Sequence, residues 1–547
     1  MIQFITALLT GILIAYWSGV VFAQHKDNSP VTASLSKTVV DVEEGKLLGY
    51  LDSGVYTFRG VPYATAARFE MPQKTAPWDG IRDATRPGEI FPQTPADRIS
   101  GDEFFNPHRY LPANENCQFL NIWTPAIRDS RKRPVMLWLH GGGFTDGSSI
   151  EPLYDGRNIS AKGDLVFVSL NHRLGVGGFL DLSTFGAKYQ NSANSGIADI
   201  VAALEWIQAN IENFGGDPDN VTILGQSGGG GKVLALMATP AAKGLFHKAI
   251  VQSGAAPGLG MTLCSKDVSR KVGELTVKNL NLSACHIDKI QEMPYEVVAA
   301  AAHEARKQLF RESGTRYSWG PVQDDYIPVH PVGEEFASQS KDIPLLIGSV
   351  LNEFTTIIMG NVIELMVDHK NNWDQARVMV KLKEKYGSKA EDVLEAFVKA
   401  YPHKIPADAY FLDTMFRLGA LETARKKADQ NGAPVYSYIF TYESPVMDGV
   451  GMAWHCAEIP YVLNNAELIK TATGGGDCAK TLAHLASLAW ISFAYTGDPN
   501  HDWIPKWPAF TSNEGATMIM DRSWYVGHNH DAELMELLAD EEESLPI

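Results

Sequence analysis

Between residues 134 and 255 short apolar runs alternate with helical stretches, and this alternation restricts the fold more than any other feature of the chain. "PVMLWLH" (134–140) and "LVFVSLN" (165–171) are compact runs rich in β-formers. "GIADIVAALEWIQANIENF" (196–214) repeats apolar residues at helical spacing, "NVTILGQ" (220–226) returns to strand, and "KAIVQSG" (248–254) follows one more helical stretch. Strands buried on both faces read as unbroken apolar runs, so the pattern predicts an α/β fold with a mostly parallel central sheet flanked by helices. "IPLLIGSV" (343–350), "PVYSYIFTY" (434–442) and "ATMIMD" extend the sheet, and helical segments lie over roughly 265–315 and between the first two of these runs. No Pro/Gly/Ser-rich linker divides the chain. A single domain over 24–547 with large helical insertions is expected.

At the junction of the third of these strands, "NVTILGQ", and the helix after it stands "GQSGGGGKV" (225–233). Its glycines and lysine suggest a phosphate loop, but that motif requires glycine where Gln226 stands and a hydroxyl residue where Val233 stands. A dinucleotide fingerprint fails as well. The string does match G-x-S-x-G as Gly225-Gln226-Ser227-Gly228-Gly229, with a strand before it and a helix after it. That is the setting of a nucleophile raised on a sharp turn. A serine hydroxyl needs a base, an acid that orients the base, and donors for the oxyanion. "HGGGF" (140–144), directly after the strand "PVMLWL", can supply the donors. The expected oxyanion hole is the N–H groups of Gly142, Gly143 and Gly228.

Net charge is −17, with no Lys/Arg-rich run, which argues against a nucleic-acid partner. No Cys or His spacing matches a zinc site, so no metal and no cofactor is expected; the doublet His528 and His530 is read as exposed. The first 23 residues carry no charged side chain and end in Val-Phe-Ala. They read as a secretory signal cleaved after Ala23, giving a secreted or periplasmic protein with no membrane attachment after cleavage; a retained anchor is the alternative. Of five cysteines (Cys117, Cys264, Cys285, Cys456 and Cys478), an odd count leaves at least one unpaired.

Several blocks in order resemble the type-B carboxylesterase family, which includes the cholinesterases, within the α/β-hydrolase fold. They are "FRGVPYATAARFEMPQKTAPWDG", "NENCQFLNIWTP", "PVMLWLHGGGF", "FGGDPDNVTILGQSGGG" and "GLFHKAIVQSG". The resemblance implies a serine esterase that hydrolyses small-molecule carboxylic esters through an acyl-enzyme. It assigns Ser227 as nucleophile, Glu353 in "LLIGSVLNEFT" as acid and His455 in "MAWHCAEIPYVL" as base. Asp324 and Asp325 are read as turn residues, His484 as packed within a helix, and His501 as part of a loop.

The chain also departs from the family. Gln226 and Gly228 stand where it usually has Glu and Ala, and no clear counterpart of the choline-binding tryptophan exists, although Phe105 lies near that position. Choline esters are therefore disfavoured. Gln226, Trp319 and Phe105 are candidate substrate-binding residues. The resemblance pairs the cysteine matching Cys117 with an upstream one that is missing here, where Phe91 stands nearby, and it pairs Cys264 with Cys285. A non-catalytic binding protein on the same scaffold is the alternative in another class. Lactone, carbamate or amide cleavage by the same machinery also stays open, as does the oligomeric state.

Overall fold

The computed structural model describes residues 30–93, 102–256, 263–357 and 362–539; the leader expected over 1–23 lies outside the described residues. Among the described residues, eleven strands form one sheet. In chain order they are β1 (Tyr50–Asp52), β2 (Val55–Pro62), β3 (Phe119–Thr124), β4 (Arg133–Leu139), β5 (Val166–Leu170) and β6 (Gly216–Gln226). Then come β7 (Lys248–Gln252), β8 (Leu345–Val350), β9 (Val435–Phe440), β10 (Ala516–Met520) and β11 (Tyr525–His528). Their spatial order is β11-β10-β9-β8-β7-β6-β4-β5-β3-β2-β1. Every pairing from β5 through β10 is parallel, and the antiparallel pairings lie at the two margins. This is the expected α/β-hydrolase architecture.

The central strands follow the hydrophobic pattern because helices cover both faces. All residues of β4, β5, β7, β8, β9 and β10 are buried. Helices α1 (Ser195–Asn210), α2 (Gly228–Ala238), α7 (Phe416–Asp429) and α8 (Gly476–Thr496) pack on the sheet, whereas α3 (Lys266–Asn279) packs with α4 (Tyr295–Ser313) and α5 (Gln375–Tyr386) with α6 (Ala390–Ala400). Helix α8 stops where Gly497 takes a left-handed conformation, φ +78°, and its N–H bonds the Phe493 carbonyl. Among the described residues, no helix is long and apolar enough to cross a membrane.

All five cysteines are free thiols. Cys117 is fully buried in a small cluster with Phe91 and Leu174, so an aromatic ring fills the space beside it. The Cys264–Cys285 disulfide implied by the resemblance is not formed. The Cys264 thiol instead donates to the Ser318 carbonyl, and Cys285 lies at the surface among Ser283 and His286. One histidine also departs from expectation: His528 is exposed, but the His530 side chain is only 11% exposed and packs edge-on against Tyr401.

Candidate active site

The carboxyl ends of β4, β6, β7 and β8 converge on one place, where open α/β sheets bind ligands. Ser227 follows β6 and caps α2 with φ +59° and ψ −128°, a strained conformation for a non-glycine residue. The strain is held by close backbone packing. A Cβ on Gly229 would lie 2.0 Å from the Leu139 carbonyl oxygen, so no larger residue fits there. The Ser227 N–H donates to the Gln252 carbonyl at 2.8 Å, tying the turn to β7.

The loop after β4 lies against this turn. Gly142 and Gly143 adopt φ of +85° and +59°, both left-handed. A Cβ on Gly228 would sit 2.1 Å from the Gly143 carbonyl oxygen, so the loop approaches the start of α2 more closely than alanine permits. Gly143 and Gly228 therefore meet next to Ser227, and Gly142 precedes Gly143 in the same loop.

Glu353 and His455 come together from separate segments. Glu353 follows β8, and its Oε1 accepts the Val350 N–H at 3.0 Å. Its Oε2 is hydrogen-bonded to His455 Nδ1, and the His455 N–H donates to the Glu353 carbonyl at 3.0 Å. A proton on Nδ1 leaves the lone pair on Nε2, and at 3.2 Å from Nε2 stands the side-chain amide of Gln226. The Cys456 thiol donates to the Gln226 Oε1, also at 3.2 Å, which orients that amide with its N–H toward the imidazole. A continuous row thus runs Glu353, His455, Gln226, Cys456, with Ser227 next in sequence to its third member.

The imidazole is nearly dry. Phe354 and Phe416 pack their rings 4.4 and 5.0 Å from its centroid. Burial lowers the His455 pKa to about 4, although the carboxylates of Glu458 and Asp413 pull it upward. The ring is therefore neutral at pH 7 and can accept a proton. Burial pushes Glu353 upward, and the Val350 N–H opposes that rise by favouring the carboxylate. Glu458 and Asp413 are raised to about 7, burial being the first cause in both. Glu458 accepts from Gln252 at 3.0 Å, so Gln252 joins the serine turn to this acidic group.

The remaining predicted residues lie further back. Phe105 is 1% exposed and packs on Trp454, one residue before His455. Trp319 is 6% exposed, edge-on to Tyr317, and close to Gly175, whose N–H bonds the Phe144 carbonyl. Asp324 serves its own turn by accepting the Tyr326 and Ile327 N–H groups. Sequence reasoning missed Phe354, Phe416, Glu458, Asp413 and Gln252. Two of these left a signal, since Phe354 and Glu458 flank residues that the motifs had already marked.

The sequence profile described as the carboxylesterase family matches residues 36–536. The chain belongs to that family. It is 32% identical over 512 residues to the para-nitrobenzyl esterase of Bacillus subtilis strain 168, across 92% of this chain and 99% of that one. It is 29% identical to the fumonisin B1 esterase of Sphingopyxis macrogoltabida, across 88% of this chain and 86% of that one. A solved esterase from anaerobic Clostridium hathewayi, described as able to hydrolyze aliphatic aromatic polyesters, superposes with a TM-score of 0.86. It is 38% identical, and the match covers 93% of this chain and 100% of that one. This carboxylesterase is a carboxylic ester hydrolase, and the converging strand ends are where its family membership and its geometry meet.

Proposed function

We propose that this carboxylesterase cleaves esters by acyl transfer through Ser227, with His455 as general base and acid and Glu353 as its orienting carboxylate. The observation that carries the proposal is the Glu353–His455 pair. It fixes the tautomer with a free lone pair on Nε2, in a neutral ring beside the strained serine turn. His455 takes the hydroxyl proton as Ser227 attacks the carbonyl carbon, and Glu353 stabilises the imidazolium that forms. The N–H groups of Gly142, Gly143 and Gly228 receive the developing oxyanion, and such a donor is typically worth roughly 10²–10³ in rate. His455 then protonates the departing alcohol. In the second half a water molecule, deprotonated by the same ring, releases the acid. For the base to engage Ser227, the Gln226 amide must yield its place on Nε2.

The preferred substrates in this proposal are uncharged esters with aromatic parts. Para-nitrobenzyl and aliphatic aromatic polyester substrates belong to the relatives by name, and Gln226 offers no negative charge to a cationic one. Labelling with a fluorophosphonate, followed by peptide mapping, tests the nucleophile: the label is expected on Ser227, and a label elsewhere would refute the assignment. A panel of aromatic, aliphatic and choline esters, read against Ser227→Ala as blank, tests the preference. Export with cleavage after Ala23 belongs to the same proposal, and the intact mass of the mature protein checks it, since the chain should then begin at Gln24.

Gln226 also supplies a pH test. The neutral imidazole is the active form, so kcat/KM falls as pH drops through the His455 pKa, which lies below the ordinary value of 6.5 at about 4. In Gln226→Glu a carboxylate would stand beside Nε2 and favour the imidazolium. The acid limb is expected to move up by about 1–3 pH units. A pH profile unchanged by the substitution would contradict the placement of His455 as base.

A further inference from the structure

The lysine that ends the glycine run has no role in the reaction described above, yet it is one of the most completely buried charged groups in the molecule. Lys232 lies in the second turn of α2 with 0% exposure. We propose that Lys232 is a positioning residue for the oxyanion loop: its ammonium pins the His140 carbonyl at the root of the loop and holds a buried positive charge behind the amides. This rests on the reading of Gly142 and Gly143 as oxyanion donors.

The argument comes from the loop's carbonyls. In a trans peptide the C=O and the following N–H point in opposite directions, so fixing one fixes the other. Lys232 Nζ donates to the His140 carbonyl at 2.8 Å, which sets the Gly141 N–H. His140 Nδ1 donates to the Gly141 carbonyl at 2.8 Å, which sets the Gly142 N–H. The Thr145 and Asp146 N–H groups donate to the Gly142 carbonyl, both at 3.1 Å, which sets the Gly143 N–H. The Phe144 carbonyl is held by Gly175 at 2.7 Å. Lys232 is the first link of this series, and its Nζ also lies 5.7 Å over the Phe144 ring.

A neutral donor could bond the His140 carbonyl without the cost of burying an ammonium. A cation adds something a neutral donor lacks, namely a fixed positive potential where negative charge develops in the transition state. The titratable groups around it are His140 and His172, stacked with centroids 5.2 Å apart, and Asp146. Both imidazoles are held neutral, by burial first and by Lys232 second. Burial lowers Lys232 to about 7, and Asp146 opposes that shift. The charged form is therefore lost as pH rises through neutrality.

In Lys232→Met, kcat per active site titrated with a fluorophosphonate is expected to fall by about 10–100-fold, with KM little changed. Affinity for a trifluoromethyl ketone, which binds as a tetrahedral adduct, should fall by the same factor. A purely structural role would instead lower the melting temperature and the titre but leave kcat per site and ketone affinity intact, and that result would overturn the proposal. Asp146 is exposed, so Asp146→Asn provides a variant gentler on folding. It removes the charge that supports the ammonium and should move the alkaline limb of kcat to lower pH; an identical profile would also count against Lys232. Normal turnover by Ser227→Ala would sink the parent reading and this one together, whereas wild-type kcat in Lys232→Met sinks only this one.

Discussion

Replacing Ser227 with alanine is expected to lower kcat by roughly 10⁶-fold while the protein keeps its melting temperature. Alanine carries the same Cβ, so it meets the same backbone strain at φ +59° that serine already bears, and the turn is held by groups outside the side chain. The Ser227 N–H bond to Gln252 is unaffected, as is the packing of Gly229 beneath Leu139. The hydroxyl alone disappears. Residual hydrolysis should persist above the uncatalysed rate, because the glycine amides can still polarise a bound ester carbonyl. Steady-state kinetics on a p-nitrophenyl ester, with thermal unfolding measured in parallel, separates the two effects. A loss of less than about 100-fold would mean that another group attacks the carbonyl.

What the sequence revealed of this fold depended on burial. The strands from Arg133–Leu139 to Ala516–Met520 are legible because helices cover both their faces and the pattern becomes a continuous apolar run. The margin strands are not. Val55–Pro62 is only partly buried, and Phe119–Thr124 carries Asn121, whose amide bonds the Ser149 and Ser169 hydroxyls within the structure. A buried polar residue with partners distant in sequence looks like a loop residue when read alone.

The site divides in a similar way. Ser227 and the glycine turn announce themselves by local spacing, because a sharp strand-to-helix turn demands small neighbours. Glu353 and His455 follow from the resemblance to a known family. Of the two rings that dry the imidazole, Phe354 is marked only by its place beside Glu353, and Phe416 has no local signature, since any aromatic residue near an apolar run reads as core. Lys232 was visible in the string, but its burial under the His140 carbonyl was not, because the contact spans 92 residues. The expected Cys264–Cys285 link failed for a related reason: it came from the family pattern alone, and the two thiols face different partners in the fold.

Glu353→Gln is expected to reduce kcat by roughly 10⁴-fold with little change in KM. The replacement is nearly the same size, so it can remain between the Val350 N–H and the imidazole. Its amide, however, can donate a hydrogen bond to Nδ1, and the ring then carries its proton on Nε2. In that tautomer the nitrogen facing the serine turn has no lone pair to receive the hydroxyl proton. The consequence extends along the row. An Nε2–H favours an acceptor at Gln226, so the Gln226 amide should turn its oxygen toward the ring and lose the bond it accepts from Cys456. Two readouts therefore belong together: the fall in kcat, and faster alkylation of the Cys456 thiol once its partner has turned away. A variant that lost activity with unchanged thiol reactivity would retain the orienting role of Glu353 but uncouple it from Gln226. A variant with undiminished kcat would remove Glu353 from the mechanism altogether.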